Sequence, residues 1–440
     1  EPMERAAACL VRVQYEDGTI DLHSTNFHST PDTAFIVNDL APVYSCLKRL
    51  NRSELNGITK NVKLFLTRAG LALTIGGIHT PNHRWVVCSA LAWINHLFPS
   101  KAYVERIDEW LGEGIDFDPD GQYYEKSVGV YSPICDTVFT TIGRLLNRPE
   151  ILEYPRKNLK MSLYYIQPGG EVVTDASGRQ DSAYISYANR YYYAYRYFAL
   201  KDNNPEFAAV CKLLEDTMPQ RITWSLPLLL EDSFFDRMLP TASEIRSDYF
   251  KRFKHSGLFR IRRGKTDITI IEDNPTFLSY RKGNAVLQSI RLGAAFFGYK
   301  GRFISEDCVV EGSTVTLSKS ITHGYLQPIP EDEREGDVRW GDQSKAKRES
   351  SELQTLDYKV IIKESKGKIS LEITIKGADH VPVSLEMNFR PGGELIGVVA
   401  DENLEDSFFL ESGTGQYVVG QDTIKFGPGV NSHKWAEMRG

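Results

Sequence analysis

Residues 256–271, SGLFRIRRGKTDITII, decide the fold class of the second half of the chain. Apolar and polar side chains alternate on both sides of Arg263-Gly264, so the stretch predicts two β-strands joined by a turn. Residues 358–375 repeat this pattern around Lys366-Gly367. Further strands are predicted at 285–298, 312–318, 383–389, 396–399 and 416–426, with a charged, exposed loop at 331–350. Many short strands with turn residues between them are typical of an antiparallel β-sandwich.

Before about residue 245 the apolar side chains recur every three or four positions, which predicts helices. The clearest case is 205–217, where Pro205 precedes a stripe formed by Phe207, Val210, Cys211 and Leu214. Similar stripes cover 32–50, 60–75, 82–98, 100–113, 133–147 and 184–200. Helices joined by short loops predict stacked helical hairpins, the unit of an α/α toroid. We therefore expect a toroid over 1–245, irregular at 1–30 with one possible strand at 9–15, and a sandwich over 246–440.

Composition excludes several classes of protein. The 440 residues carry 52 basic and 58 acidic side chains, a net charge of −6, which argues against a nucleic-acid partner. No apolar run approaches the ~20 residues that cross a bilayer, so no membrane insertion is expected. The six cysteines lie far apart without a CxxC pair, which argues against a zinc ribbon or a disulfide scaffold. We predict no metal and no cofactor.

The sharpest local signal is the stretch His79-Thr80-Pro81-Asn82-His83-Arg84-Trp85. Gly76-Gly77 ends one helix, Thr80 suits an N-cap, and Pro81 suits the first helical position. Asn82, His83 and Arg84 then occupy a first turn, where free backbone N–H groups favour an anion such as a carboxylate. The alternative is that Asn82 and His83 only cap or pack the helix.

Two further clusters lie in loops before helices. Asp120-Gly121 predicts a turn that leads through Glu125 to Tyr131, and a surface turn with a packed tyrosine is the alternative reading. Residues 175–181 are read as leading into a helix, with Arg179 and Gln180 able to reach a cleft. The aromatic stripe that follows, from Tyr184 to Phe198, is read mostly as core. Loop-like segments around Arg281, His323 and Tyr325 could also face the toroid.

These side chains suit β-elimination at a uronate. Donors must neutralise the carboxylate, a base must remove the C5 proton, and an acid must protonate the leaving O4. Asn, Arg and Gln serve the first purpose, while His and Tyr serve the others. Two alternatives remain open. One is a toroid glycoside hydrolase that uses two carboxylates from among Asp118, Asp120, Glu125 and Asp181, and the other is a glycan-binding protein without activity.

At these motifs the sequence resembles the heparinase II/III-like and alginate-lyase-like polysaccharide lyases, which combine an incomplete α/α toroid with an antiparallel β-sandwich. Asn82-His83 is similar to the group's Asn-His pair, in which Asn neutralises the uronate and His takes part in proton transfer. Asp120-Gly121 through Glu125, Ser127 and Tyr131 is similar to the group's Asp-Gly…Glu-x-Ser…Tyr stretch, whose Tyr is base or acid. The group's His-x-Asp-type sandwich motif is absent, and His323-Gly324-Tyr325 or Arg281-Lys282 stands in its place.

Residues 24–35, STNFHSTPDTAF, and the run Arg179-Gln180-Asp181 resemble one bacterial branch of that group. The resemblance implies a rhamnose-α-1,4-glucuronate lyase, with an acidic glycan as partner and a periplasmic or secreted location. Its implied catalytic residues are Asn82, His83 and Tyr131. The side chains expected to contact substrate are His79, Arg84, Glu125, Arg179, Gln180, Tyr184, Arg281, His323 and Tyr325.

Overall fold

The computed structural model describes residues 1–298, 300–334, 336, 339–340, 344–433 and 435. The chain divides into two compact units, Glu1–Arg246 and Ser247–Gly440. The first is mainly helical and the second consists of antiparallel strands, so the predicted toroid-plus-sandwich fold class is confirmed. No helix of the described residues has the length and apolar character needed to span a membrane.

The first unit is a succession of packed helices. They are α1 (Pro2–Val13), α2 (Thr30–Leu50), α3 (Asn56–Ile75), α4 (Pro81–Leu97), α5 (Lys101–Gly112), α6 (Tyr131–Leu145), α7 (Glu153–Ser162), α8 (Tyr192–Lys201), α9 (Pro205–Thr217) and α10 (Leu226–Leu230). Four short strands accompany them, β1 (Ile20–Leu22), β2 (Asn26–Ser29), β3 (Glu171–Val172) and β4 (Ser186–Tyr187). β1 pairs with β2, and β3 pairs with β4.

Helix α4 lies at the centre of the first unit. It packs against α2, α5 and α6, and its side chains from Trp85 to Ile94 are all buried. A helix that is apolar all round belongs to the interior of a domain. Because α4 is held on several sides, its amino-terminal turn with Asn82 and His83 is fixed in place.

Two predictions about the first unit are wrong. Residues 2–13 form α1 rather than an irregular segment with a strand at 9–15, because Ala7, Leu10 and Val11 lie on one helical face that joins the core. The helix predicted at 184–200 begins only at Tyr192. Residues 184–191 are extended and then form a single 3-10 turn, because Ser186 and Tyr187 pair with Val172 and Glu171.

The second unit contains the remaining strands. They are β5 (Asp248–Phe253), β6 (Leu258–Arg263), β7 (Thr266–Ile271), β8 (Leu278–Lys282), β9 (Ala285–Ala294), β10 (Gly301–Arg302), β11 (Asp307–Glu311), β12 (Thr314–Leu326), β13 (Ser350–Ser365), β14 (Lys368–Gly377), β15 (Val383–Phe389), β16 (Glu394–Ile396), β17 (Val399–Ala400), β18 (Phe408–Phe409), β19 (Gly415–Val419) and β20 (Asp422–Phe426).

Two sheets of this unit share one core. The larger has the order β10-β9-β8-β7-β6-β5, with β15 also paired to β9, and the second has the order β11-β12-β13-β14. Ile261 and Ile268 from the first pack in the same apolar cluster as Leu317 and Val360 from the second. Antiparallel sheets that bury one face each against a common core form a sandwich.

The two predicted turns lie where glycine is needed. Gly264 joins β6 to β7 and Gly367 joins β13 to β14, and both have positive φ, 58° and 79°. A left-handed backbone there costs glycine little and other residues more.

The loop predicted at 331–350 includes residues 335, 337, 338 and 341–343, which lie outside the described residues.

Candidate active site

Asn82 presents an unpaired amide at the start of α4. Thr80 has the extended backbone of an N-cap, but its hydroxyl donates to Asn82 Oδ1 at 2.6 Å instead of accepting a backbone N–H. Asn82 is 1% exposed, and among the described residues its Nδ2 has no hydrogen-bond partner. A buried donor without a partner is costly, unless a ligand supplies the acceptor. The contact with Thr80 therefore fixes the Asn82 amide in an orientation that leaves its Nδ2 donor unsatisfied by the described residues.

His83 is half-buried between two rings. Its imidazole lies edge-on to His79, with ring centroids 4.6 Å apart, and to Phe35 at 5.9 Å. The pKa of His83 is lowered to about 4, mainly by burial and to a lesser extent by His79 and Arg179, while Asp32 opposes this shift. Nδ1 has no hydrogen-bond partner among the described residues. The ring is therefore neutral at pH 7, and a neutral imidazole has one nitrogen that can accept a proton.

Glu125 lies beside the α4 terminus at the end of the Asp118 turn. Asp118 Oδ1 accepts the N–H groups of Gly121 and Gln122, both at 2.9 Å, which closes the turn predicted at Asp120-Gly121. The Glu125 side chain is 8% exposed, and Arg179 Nε lies 3.6 Å from its Oε2. Burial raises the pKa of Glu125, while Arg179 and the backbone N–H of Asn82 oppose that rise.

Tyr131 is the first residue of α6 and meets the Arg179-Gln180 segment. Gln180 Nε2 donates to Tyr131 Oη at 3.2 Å, and the Arg179 guanidinium lies 5.1 Å from the centre of the Tyr131 ring. Because the phenol oxygen accepts from Gln180, its own O–H proton remains to be donated elsewhere. Arg179 is also among the charges that act on His83.

Three separate segments of the first unit thus meet at one place. The α4 terminus contributes Asn82 and His83, the loop before α6 contributes Glu125 and Tyr131, and the third segment contributes Arg179 and Gln180. His79 lies at the edge of this group, where it is exposed. We call these seven residues the α4-terminus cluster. They are spread over about a hundred positions of the sequence, but they are linked by ring contacts, hydrogen bonds and an ion pair, with the backbone N–H of Asn82 joining Glu125 to the α4 terminus.

Other predicted residues lie elsewhere. The Arg84 guanidinium pairs with Glu113 at 3.0 Å and with Asp116, so it is held by two carboxylates rather than by the cluster. Tyr184 follows the third segment and is 66% exposed, whereas the later rings of the aromatic stripe, Tyr191, Tyr195 and Phe198, are buried in the core.

Three predicted residues belong to the second unit, and none lies in a loop. The prediction of loops there is wrong, because these residues take part in strand ladders. Arg281 lies on β8, where its Nε donates to Gly283 O at 2.8 Å. His323 and Tyr325 both lie on β12, with their rings 5.7 and 5.5 Å from that of Phe297.

Two of the four carboxylates of the glycoside-hydrolase alternative are engaged in hydrogen bonds within the fold. Asp118 closes its turn, and Asp181 is 2% exposed and accepts from Ser127, Gly129 and Ser177. Glu125 alone of the four belongs to the α4-terminus cluster. Within the described residues, no group of three or more His, Cys, Asp or Glu side chains is arranged to hold a metal ion.

The chain shares its fold with a xanthan lyase from Paenibacillus. That structure aligns with 87% of this chain at a TM-score of 0.50 and 9% sequence identity. The aligned region is 46% of the Paenibacillus chain, so this chain spans about half the length of that protein. No model of a known protein family matches the sequence, and no curated protein matches it. The likeness shows a polysaccharide-lyase fold.

Sequence reasoning missed two residues that surround His83. Asp32, whose charge raises the pKa of His83, lies in the first turn of α2, where Ser29 and Asn26 donate to its carboxylate. Phe35 covers the imidazole edge-on. The spacing Ser29-x-x-Asp32 before an apolar run is a helix-start signal, so the sequence located the turn. Nothing local indicated that this turn faces a residue fifty positions away.

Proposed function

We propose that the chain is a polysaccharide lyase that cleaves a 4-O-linked glucuronate glycan by β-elimination. The observation that carries the proposal is the α4-terminus cluster, which combines amide, guanidinium, imidazole and phenol groups. The shared fold with a xanthan lyase supports the same class of chemistry. For each of the three tasks of elimination, this cluster contains a side chain of suitable chemistry.

The first task is to neutralise the uronate carboxylate. While that group carries its full negative charge, the proton on the neighbouring C5 is too weakly acidic to be removed. We assign the carboxylate to the buried Nδ2 of Asn82 and to the guanidinium of Arg179. Such donors act most strongly in the transition state, where charge builds up on the carboxylate oxygens as the C5–H bond breaks.

The second and third tasks are proton transfers. We assign removal of the C5 proton to His83, because a ring that is neutral at pH 7 can accept a proton. The electrons of the C5–H bond form the C4–C5 double bond, and the C4–O4 bond breaks. We assign protonation of the departing O4 to Tyr131, whose oxygen is held by Gln180. The products are an unsaturated uronate and a free hydroxyl on the leaving sugar.

For the substrate we propose a terminal rhamnose-α-1,4-glucuronate unit of an arabinogalactan-type glycan, removed in an exo fashion. The support for this step is the resemblance of residues 24–35 and 179–181 to one bacterial branch. Asp32 lies within that stretch and acts electrostatically on His83, which links the stretch to the proposed site.

The direct test is a screen of acidic glycans, including one with terminal rhamnosyl-glucuronate, for new ultraviolet absorbance. A lyase leaves a conjugated 4,5-unsaturated uronate that absorbs, and mass spectrometry should show products that together equal the mass of the substrate without added water. Saturated products carrying water would indicate a hydrolase. Binding without any release over long incubation would indicate a glycan-binding protein.

Asn82→Ala tests the neutralising role. We compare rates on a uronate substrate and on its methyl ester, whose carboxyl is already neutral. The defect should be about tenfold or more on the acid and should shrink on the ester. Arg84→Ala is the control, because Arg84 is paired with Glu113 and Asp116, and any loss should be equal on both substrates. An equal Asn82→Ala defect on both would mean that Asn82 only packs its helix.

A further inference from the structure

We propose that Asp181 is a positioning residue, one that holds Tyr131 and Gln180 in register without touching the substrate. The inference rests on the proposed function for its catalytic consequence. Its structural part stands on the hydrogen bonds around a single buried carboxylate, which joins the loop before α6 to the segment that carries Arg179 and Gln180.

The Asp181 carboxylate receives three hydrogen bonds. Its Oδ1 accepts from the Ser127 hydroxyl at 3.0 Å, and its Oδ2 accepts from the Gly129 N–H and from the Ser177 hydroxyl, both at 2.9 Å. No arginine or lysine of the described residues forms a salt bridge with it. Three donors therefore satisfy the acceptor oxygens of a carboxylate that is only 2% exposed.

Two of these donors, the serine hydroxyls, also accept hydrogen bonds from backbone N–H groups. The Ser127 oxygen accepts the N–H of Tyr131 at 3.1 Å, and the Ser177 oxygen accepts the N–H of Val128 at 3.2 Å. A hydroxyl that donates to Asp181 must turn its lone pairs toward these N–H groups. One carboxylate therefore determines the orientation of two hydroxyls, and through them the course of residues 127–131.

This arrangement holds Tyr131 both at its backbone and at its phenol oxygen. Its backbone N–H is held through Ser127, and its phenol oxygen is held by Gln180, the residue adjacent to Asp181. Proton transfer requires the phenol to lie within a few tenths of an ångström of its productive position. Because Asp181 is buried and all three donors point at it, it acts through Tyr131 rather than on substrate.

Asparagine is the informative replacement at this position. It keeps the size of the side chain but replaces one acceptor oxygen with an NH2 group, which would face donors instead of accepting from them. We expect Asp181→Asn to lower kcat about tenfold or more. Ser177→Ala removes one of the three bonds and should give a smaller loss in the same direction. Asp136→Asn is the matched control, because Asp136 is a buried aspartate of the same unit bonded to Tyr123.

A double-mutant cycle separates positioning from general damage. If Asp181 acts through Tyr131, then Asp181→Asn should cost less than about threefold further in kcat when Tyr131 is already phenylalanine. A merely structural defect would multiply with the loss caused by Tyr131→Phe. Full multiplication of the two effects, or an unchanged kcat in Asp181→Asn, would overturn the proposal.

Hydrogen exchange tests the same contact without substrate. The amides of Gly129 and Tyr131 should exchange faster in Asp181→Asn than in wild type, whereas Asp136→Asn should not make them exchange faster. Unaltered protection would refute the positioning role even in an active enzyme. If the wild-type protein forms no unsaturated product, the proposed function fails while the exchange result still decides the role of Asp181. Should Asp181→Asn fail to fold, Ser177→Ala carries both measurements.

Discussion

Replacing Phe35 by alanine should raise the pKa of His83 and so move the acid limb of the pH–rate profile. Burial is the largest cause of the low pKa of about 4, and the Phe35 ring lies edge-on to the imidazole at 5.9 Å. Removing the ring admits water, which favours the charged imidazolium. The charged or titratable neighbours Asp32, His79 and Arg179 stay in place, so the change isolates desolvation.

The expected magnitude follows from the protonation equilibrium. At about pH 5.5 an imidazole with a pKa of about 4 is about 97% neutral, whereas one with the usual pKa of about 6.5 is about 9% neutral. Full exposure would therefore lower kcat/KM about tenfold at that pH relative to the plateau, if neutral His83 is the base. Near pH 8 both proteins have a neutral ring, so their rates should differ little.

Two measurements check this prediction. The first is kcat/KM, followed by ultraviolet absorbance between about pH 4 and pH 9 for wild type, Phe35→Ala and Phe35→Leu, which keeps an apolar cover and should resemble wild type. The second is an NMR titration of the His83 ring without substrate. A wild-type acid limb near pH 6.5, or identical His83 titrations in wild type and Phe35→Ala, would refute the reasoning.

Three further predictions concern the first unit. His83→Ala and Tyr131→Phe should each lower kcat about a hundredfold or more with an unchanged circular dichroism spectrum, and wild-type rates in either would remove that residue from the mechanism. Burial raises the pKa of Asp136 well above its usual 3.8, so its ionisation opposes folding and stability is lost as pH rises from about 4. Asp136→Asn, which can still accept from Tyr123, should therefore raise the Tm at pH 7, with a gain that vanishes near pH 3.5 in differential scanning fluorimetry. Gly129→Ala should lower the free energy of unfolding, measured by urea titration, by about 1–3 kcal/mol, because the added Cβ would lie 2.4 Å from the Ser186 hydroxyl oxygen. An unchanged urea midpoint would contradict that packing.

Local signals explain what could be predicted from the sequence. The strand pairs at Gly264 and Gly367 combine alternation with a turn residue, and both signals lie within sixteen or so positions. The start of α4 likewise follows from Thr80 and Pro81 alone. In these segments the residue pattern and the required backbone conformation agree within a short stretch, so tertiary packing did not alter the predicted structure.

Non-local contacts explain the failures. The run Cys9-Leu10-Val11 suggests a strand, but residues 2–13 become α1 because α3, some fifty positions later, receives their apolar face. Tyrosines at 184, 187 and 191 have helical spacing, yet β4 pairs with β3, and Tyr191 Oη donates to Val128 O at 2.6 Å. In both segments the deciding partner lies far away in the sequence, where no periodicity can indicate it.

The candidate site shows the same limit at the level of single side chains. Three consecutive residues at the start of α4 were expected to serve one anion, but successive side chains of a helix point about 100° apart. The Asn82 side chain accordingly contacts Thr80, His83 neighbours Phe35, and Arg84 turns to the acids after α5. One helix terminus could therefore supply the amide and the imidazole but not the cation. The guanidinium had to come from another segment, and Arg179, which lies over the Tyr131 ring and acts electrostatically on His83, supplies it.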